Sequence, residues 1–437
     1  NILRMNRNIL KLAIPNIITN ITVPLLGMVD TAIVGHITAS SSGEDYIGAI
    51  AIGSMIFNII YWNFGFLRMG TSGFTAQAYG ADDKKEQMSI LLRACFIALV
   101  AALALIVLQK PIGLLTEAFV ENKNHALDLA LEYFFIRIWA APATLGMYAL
   151  KGWFIGMQDS KTPMWISILI NVLNIVFSYV FAIGLSMNIE GVALGTVIAQ
   201  WGGLAVSVSI WFVKYGSLRI FADWKEALQR SKMILFFKVN ADIYLRTICL
   251  IAVTTYFTVA SSSMPYPLLA VNTLLMQLFT LFSYFMDGFA YASESLCGRF
   301  KGANDRVNLA KCVKYILLWG AALSILFTAV YFFFGSDILS ILTNKKDVLA
   351  VCEDYKYWTL LIPLCGSVAF LYDGILIGMI ETKLMRNAIF VATALFFALF
   401  FGFKNSLGND ALWIAFLTYL LARSVLMMIL SRKKIFS

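Results

Sequence analysis

An all-α integral membrane protein, with 12 transmembrane helices in two parallel six-helix repeats, is predicted by three observations. Of 437 residues, 60% are hydrophobic and 14% charged, and the mean hydropathy is +0.78; soluble domains run near ~45–50% apolar and ~25% charged. A single soluble core stops growing near ~250–300 residues, so this much apolar surface has to face lipid. Windows of about 20 apolar residues, the length that crosses hydrocarbon, recur 12 times. Short motifs also recur at an offset of about 222 residues. Soluble enzyme, disordered chain, collagen and disulfide scaffold are excluded together.

The windows centre, in order, on Ile9–Gly35, Tyr46–Gly70, Leu91–Leu108, Leu127–Gly156, Met164–Gly184 and Val192–Val213. The second set is Met233–Ala260, Leu268–Leu296, Val313–Phe334, Val351–Gly378, Ala388–Phe403 and Ala411–Leu430. Alternating segments of about 10 residues, which a membrane β-barrel requires, are absent. No cleavable signal pattern precedes the first run, so it is predicted to be retained as a membrane helix. The N-terminus, the even-numbered loops and the tail carry about 22 Lys and Arg against about 5 in the odd-numbered loops. Segments 36–46 and 185–191 carry Glu44, Asp45 and Glu190 and no basic residue. Both termini and the basic loops are therefore predicted to be cytoplasmic. The net charge of +9 reads as this topology and not as a nucleic-acid footprint.

The repeat divides the chain. Phe74–Asp83 aligns with Leu296–Asp305, Ile155-Gly-Met157 with Ile377-Gly-Met379, and Asp159-Ser-Lys161 with Glu381-Thr-Lys383. Pro142 matches Pro363 at an offset one shorter. Residues 1–213 are predicted to form one six-helix lobe, the basic stretch 214–230 a cytoplasmic linker, and residues 231–437 a second lobe in the same orientation. Two such bundles are a transporter architecture.

Chemistry motifs are scarce. Cys95, Cys249, Cys297, Cys312, Cys352 and Cys365 form no CxxC pair, and His36 and His125 are the only histidines. No metal site is predicted. No GxxxxGK[ST] loop, HExxH, kinase signature or GxSxG elbow occurs, so the driving energy has to come from an ion gradient or the substrate's own gradient. The chain is not predicted to be an enzyme.

Polar residues inside the membrane cost at least ~2.5–3.5 kcal/mol when charged, which makes them functional candidates. Asp30 lies late in the first helix with no basic residue close by in sequence. A carboxyl in that setting can be loaded and unloaded with a proton, so it is the predicted ion-coupling residue. Pro24, with Pro15 before it, removes a backbone hydrogen bond from the same helix and is the predicted hinge. Asn171, Asn174 and Ser178 on the fifth helix and Thr196 and Gln200 on the sixth fall at helical spacing, so they are read as pocket lining beside Asp30. Asp242 and Arg246 are i,i+4 neighbours on the seventh helix. With Asp287 they form a predicted second-lobe charge network. Glu132–Arg137 and Glu353–Lys356 are read as snorkelling pairs near helix ends. Asp373 and Lys151, at nearly repeat-equivalent positions, have no assigned role. Abundant Met and aromatic residues suit bulky hydrophobic cations through soft and cation–π contacts.

The sequence resembles the multidrug and toxic compound extrusion (MATE) family, in its DinF-like branch. The likeness is carried by Met28-Val-Asp-Thr-Ala-Ile-Val-Gly-His36, Met69–Ala81, Gly152–Pro163, Asn171-Val-Leu-Asn-Ile175, Gly191–Gln200, Asp242–Thr247 and Met286-Asp-Gly-Phe-Ala290. The resemblance implies a V-shaped pair of lobes that alternate access in a cell (inner or plasma) membrane, exporting amphipathic, often cationic compounds against H⁺ or Na⁺. It places Asp30 at the family's first-helix coupling acid, and Asn174 and Thr196 at its polar partners. The family's fifth helix usually carries an Asp where this sequence has Ser178. That departure favours H⁺ as coupling ion, because sodium wants several oxygens including anionic ones and a proton wants one carboxylate. Na⁺ is the alternative, with Asp30, Asn174, Ser178 and Thr196 as ligands. No other cofactor is expected, nor a nucleic-acid partner; small amphipathic molecules and membrane lipid are the expected partners, with the monomer as working unit.

A lipid or polyprenyl-linked glycan flippase is the competing function, because related architecture does not decide function. It calls for a cluster of cationic cavity residues for phosphate, which Arg246, Arg68 and Lys151 do not form in sequence.

Overall fold

A computed structural model describes residues 2–37, 43–120 and 125–437; the side chains of Glu44 and Asp45 also lie outside what is described. Among the described residues all regular structure is helical. The first half runs α1 Ile2–Ile37, α2 Gly43–Asn63, α3 Phe66–Gly80, α4 Lys84–Val107, α5 Gln109–Phe119, α6 His125–Arg137, α7 Ala141–Gly156, α8 Lys161–Tyr179, α9 Ile189–Tyr215 and the short α10 Trp224–Ala227. The second half runs α11 Arg230–Ser262, α12 Leu268–Gly302, α13 Arg306–Leu342, α14 Lys346–Gly378, α15 Thr382–Leu407 and α16 Asn409–Phe436.

Eleven described helical runs are long and apolar enough to cross a membrane. The expected fourth span, Leu127–Gly156, is the exception. It is broken into α6, a 3₁₀ turn at Ile138–Ala140, and α7. Pro142 lies at the first turn of α7, where its missing N–H is an orphan anyway, so the break falls where proline is tolerated. Its repeat partner Pro363 sits inside an unbroken α14. Large apolar side chains such as Leu99, Val100, Leu103 and Val107 of α4 are half or more exposed, as a lipid-facing surface requires.

The repeat extends to backbone detail. Asp82 and Asn304 take left-handed φ of 52° and 55°, and Gln158 and Ile380 take 67° and 58°. Asp83 accepts the Glu86 N–H at 3.1 Å and Asp305 the Asn308 N–H at 3.1 Å, capping α4 and α13 alike. Lys214 pairs with Asp159, and Lys434 with Glu381. Gly152 and Gly156 let α7 lie on the backbone of α3 at Arg68 and Ser72. Gly374 and Gly378 let α14 lie on α12 at Ala290 and Glu294. A Cβ at any of the four would overlap the facing backbone. This is the small-xxx-small packing that membrane helices use in place of a hydrophobic drive.

Contacts divide the chain into two compact units, Ile18–Phe237 and Asn1–Ile17 with Lys238–Ser437. The sequence places all of residues 1–213 in one lobe; contacts group the first 17 residues with the second half. Residues 214–230 pack within the first unit. Arg93, itself 2% exposed, donates its Nε–H to the Ala227 carbonyl at 2.9 Å. Glu226 pairs with Lys85 at 2.7 Å and Lys232 at 3.1 Å, and Lys232 reaches Glu86 at 2.9 Å. The two lysines hold the Glu226 carboxyl below its ordinary value by hydrogen bonding to its charged form.

Candidate functional site

The first unit builds a polar cluster where α1, α8 and α9 meet. Gly191 and Gly195 bring α9 against the α8 backbone; a Cβ on Gly195 would lie 2.5 Å from both N and Oγ of Ser178. That approach sets Thr196 beside Asn174. The Asn174 Nδ2 donates to Asp30 Oδ1 at 2.9 Å. The Asn174 Oδ1 accepts from Thr196 Oγ1 at 2.9 Å and from Ser178 Oγ at 3.3 Å. Both hydroxyls also share the Val192 carbonyl, at 3.1 and 3.5 Å. Asp30 is 4% exposed, and Asn174, Ser178 and Thr196 are buried. Helix α8 passes into a π-helical turn at Val180–Gly184, directly after Ser178; such turns recur at functional sites.

Two residues read as pocket lining lie elsewhere. Asn171 donates to the Thr22 carbonyl of α1 at 3.3 Å, so it props the helix two residues before Pro24. Gln200 accepts from Thr144 of α7 at 3.4 Å. The spacing argument groups residues on a face, but a face of α8 or α9 is wider than one hydrogen-bonded cluster. Helix α1 runs unbroken through Pro15 and Pro24.

Arg137, read as one of a pair near a helix end, is the last residue of α6. It is half-buried beside the 3₁₀ turn at Ile138–Ala140. Its Nη1 donates to the Tyr133 hydroxyl at 2.8 Å. Its guanidinium lies over the Phe57 ring at 4.5 Å.

The second unit arranges its charges differently. Asp242 Oδ1 pairs with Arg386 Nη1 of α15 at 2.7 Å, and its Oδ2 accepts from Thr382 Oγ1 at 3.1 Å. Arg246 Nη2 pairs with Asp373 Oδ2 of α14 at 2.7 Å, supported by Nε at 3.2 Å. Arg423 Nη2 of α16 reaches the same oxygen at 2.5 Å. Two guanidiniums thus converge on one carboxylate oxygen. The i,i+4 pairing of Asp242 with Arg246 is replaced by ion pairs to other helices, because side chains that face a neighbouring helix find shorter contacts than across their own turn. Asp287 is half-buried on α12 and has interactions of its own. Arg386 and Arg423 were absent from the sequence reading, although Arg423 stands in the middle of the apolar run Ala411–Leu430. Among the described residues, no group of three or more His, Cys, Asp or Glu could hold a metal ion.

Comparison with known proteins follows this geometry. The MatE family pattern matches residues 15–180 and 243–401. The chain is 34% identical over 415 residues to the DNA damage-inducible protein F of Escherichia coli (strain K12), covering 95% of this chain and 89% of that one. It is 20% identical to a probable multidrug resistance protein NorM of Photorhabdus laumondii, over 86% and 83% of the two chains. Among solved structures, a MATE protein in a bent conformation superposes with a TM-score of 0.83 at 18% identity, covering 99% of this chain and 95% of that one.

Proposed function

The chain belongs to the MatE family of multidrug efflux transporters, and from that premise we propose that it exports amphipathic, often cationic compounds by proton antiport through Asp30. It is a multi-pass membrane protein with 11 candidate spans among the described residues; an inner-membrane location, cytoplasmic termini and a working monomer are part of the same proposal. Two halves alternating access, with Pro24 as the flexing point of α1, complete it.

The observation that carries the proton reading is the orientation of Asn174. Its amide turns N–H toward Asp30 and its oxygen toward the hydroxyls of Thr196 and Ser178. A sodium cage needs those oxygens facing a common centre with the carboxylate. Here a donor stands against Asp30, which complements a carboxyl that gains and loses a proton. In one state the amide bonds a carboxylate, in the other the carbonyl oxygen of the acid, so the relay survives the change.

The test is export of a fluorescent organic cation from reconstituted vesicles under separately imposed pH and sodium gradients. Export is expected to follow the pH gradient at fixed sodium. Export that follows sodium at fixed pH would replace H⁺ by Na⁺, with Asp30, Asn174, Ser178 and Thr196 as ligands. Scrambling of labelled lipid without cation movement would establish the flippase instead.

A further inference from the structure

The second unit holds a cavity of about 560 Å³, room for a small organic molecule or for the head and first carbons of a lipid. It lies between the turn from α11 to α12 and the turn from α13 to α14. Ser262, the last residue of α11, stands sixteen positions beyond Arg246, about 24 Å along the helix. The cavity is therefore separate from the ion pairs of that unit. All four helices are candidate spans, and the cavity gathers their ends, which places it at headgroup level. Leu274 also lines it, six residues into α12 and about 9 Å below the helix start. A headgroup layer is about 5–7 Å thick, so the cavity reaches from the headgroups to the first acyl carbons.

Its lining divides by chemistry. Met264, Leu269, Leu274, Leu342 and Val348 are apolar, and Ser262, Thr273 and Thr343 offer hydroxyls. Among the described lining residues Lys345 alone carries a charge. The acid nearest to it in sequence, Asp347, stands outside the lining and accepts the Tyr266 hydroxyl at 2.8 Å. Pro267 and Lys345 precede α12 and α14, and neither gives its helix a side-chain cap; the positive ends of two long helices add to the lysine. Leu342 adjoins Ile341 on α13, where Phe333 and Phe334 are also exposed, so the apolar wall opens toward the lipid-facing surface. Tyr266 is exposed at the rim, as aromatic residues are at a membrane interface. An occupant needs a negative head and an apolar body.

We propose that this cavity binds an anionic phospholipid of the surrounding bilayer, with its phosphate on Lys345 and the start of one acyl chain among Leu269, Leu274 and Leu342. The lysine selects the negative headgroup, since basic pockets between membrane helices hold anionic lipid heads. The apolar wall selects a lipid over a free phosphate, because only a chain gains by covering it. The depth of the cavity lets the lipid bind without leaving its leaflet. Bound there, it bridges the α11–α12 and α13–α14 turns, so the second unit is steadied by the anionic lipid content of the membrane.

The experiment uses the full chain in phosphatidylcholine vesicles with a trace of phosphatidylglycerol that carries a photoactivatable group early in one acyl chain. Crosslinked peptides are mapped by mass spectrometry. Label is expected on residues 262–274 and 341–348, and a phosphatidylcholine probe of the same chain is expected to label them about fivefold less. Lys345→Gln is expected to lower phosphatidylglycerol labelling there about fivefold. Lys346→Gln removes the same charge from outside the lining and is expected to leave it within about a factor of two. Both lysines are exposed, so neither change disturbs packing. Thr273→Trp fills the cavity from an exposed position without altering charge, and is expected to abolish labelling of both segments. Three results overturn the site: labelling unchanged in Lys345→Gln, equal losses in Lys345→Gln and Lys346→Gln, which mean surface attraction only, or equal labelling by the two lipids. Displacement of the label by millimolar inorganic phosphate overturns the lipid and makes this a free-anion site.

Discussion

The acids of the two units sit in opposite surroundings. Asp30 takes a hydrogen bond from the Asn174 amide, whose oxygen accepts from the hydroxyls of Thr196 and Ser178. Asp373 is gripped on one oxygen by Arg246 and Arg423, and Asp242 is held by Arg386 and Thr382. An acid held by neutral donors can exchange a proton without breaking an ion pair; one clasped by guanidiniums is a fixed strut between helices. Burial alone therefore does not identify a coupling group. What surrounds the buried acid does.

The largest expected effect falls on the first unit's function. Asp30→Asn keeps the shape and the amide contact but cannot titrate, so gradient-driven export is expected to fall to the level of empty vesicles while thermal stability stays near wild type. Normal export in that variant would erase the contrast between the units.

The second unit is expected to fail in the other way. Asp373→Asn leaves two buried guanidiniums uncompensated, a loss of roughly 3–5 kcal/mol, seen as a steep fall in the thermal midpoint of the detergent-solubilised protein. Arg246→Gln leaves Arg423 on Asp373 and is expected to cost less. A mild Asp373→Asn phenotype would show that the cluster is not a strut.

A double-mutant cycle sharpens the pairing. Asp242→Asn with Arg386→Gln is expected to couple by about 1–3 kcal/mol, whereas Asp242→Asn with Arg246→Gln is expected to add within roughly 0.5 kcal/mol. Strong coupling in the second cycle would return the i,i+4 pair to the centre of the network.

The caps are the smallest and most symmetric test. Asp83→Ala and Asp305→Ala are expected to cost about 1 kcal/mol each, because the two caps make the same bond at 3.1 Å. Unequal costs would show that the repeat is one of backbone shape only. The Glu226 ion-pair cluster adds a pH check. Glu226 is held below its usual 4.5 by Lys85 and Lys232, so its contribution is present above that value and is lost only as pH falls through the lowered one. Hydrogen-exchange protection factors at residues 224–228 are expected to be level from pH 7 to about 5 and to fall in stronger acid.

Hydropathy windows, the two-half repeat and the isolated acid Asp30 were legible in the sequence because each is a local property. Twenty apolar residues cross a bilayer whatever they pack against, and a motif repeated at one offset specifies the same turn twice. The Asp30–Asn174–Thr196 cluster was legible through the residues that resemble a known family. Partnership was not. Whether Asp242 meets Arg246 or Arg386, whether Arg137 faces water or packs on Phe57, and whether Asn171 lines a pocket or props α1 depends on which helices touch. In a chain where nearly every segment is a membrane helix, one-dimensional pattern says little about that. Close approach at Gly195, Gly152 and Gly374 decides it, by bringing particular faces within hydrogen-bond reach. The tertiary structure alone decided which helix supplies each buried charge with its partner.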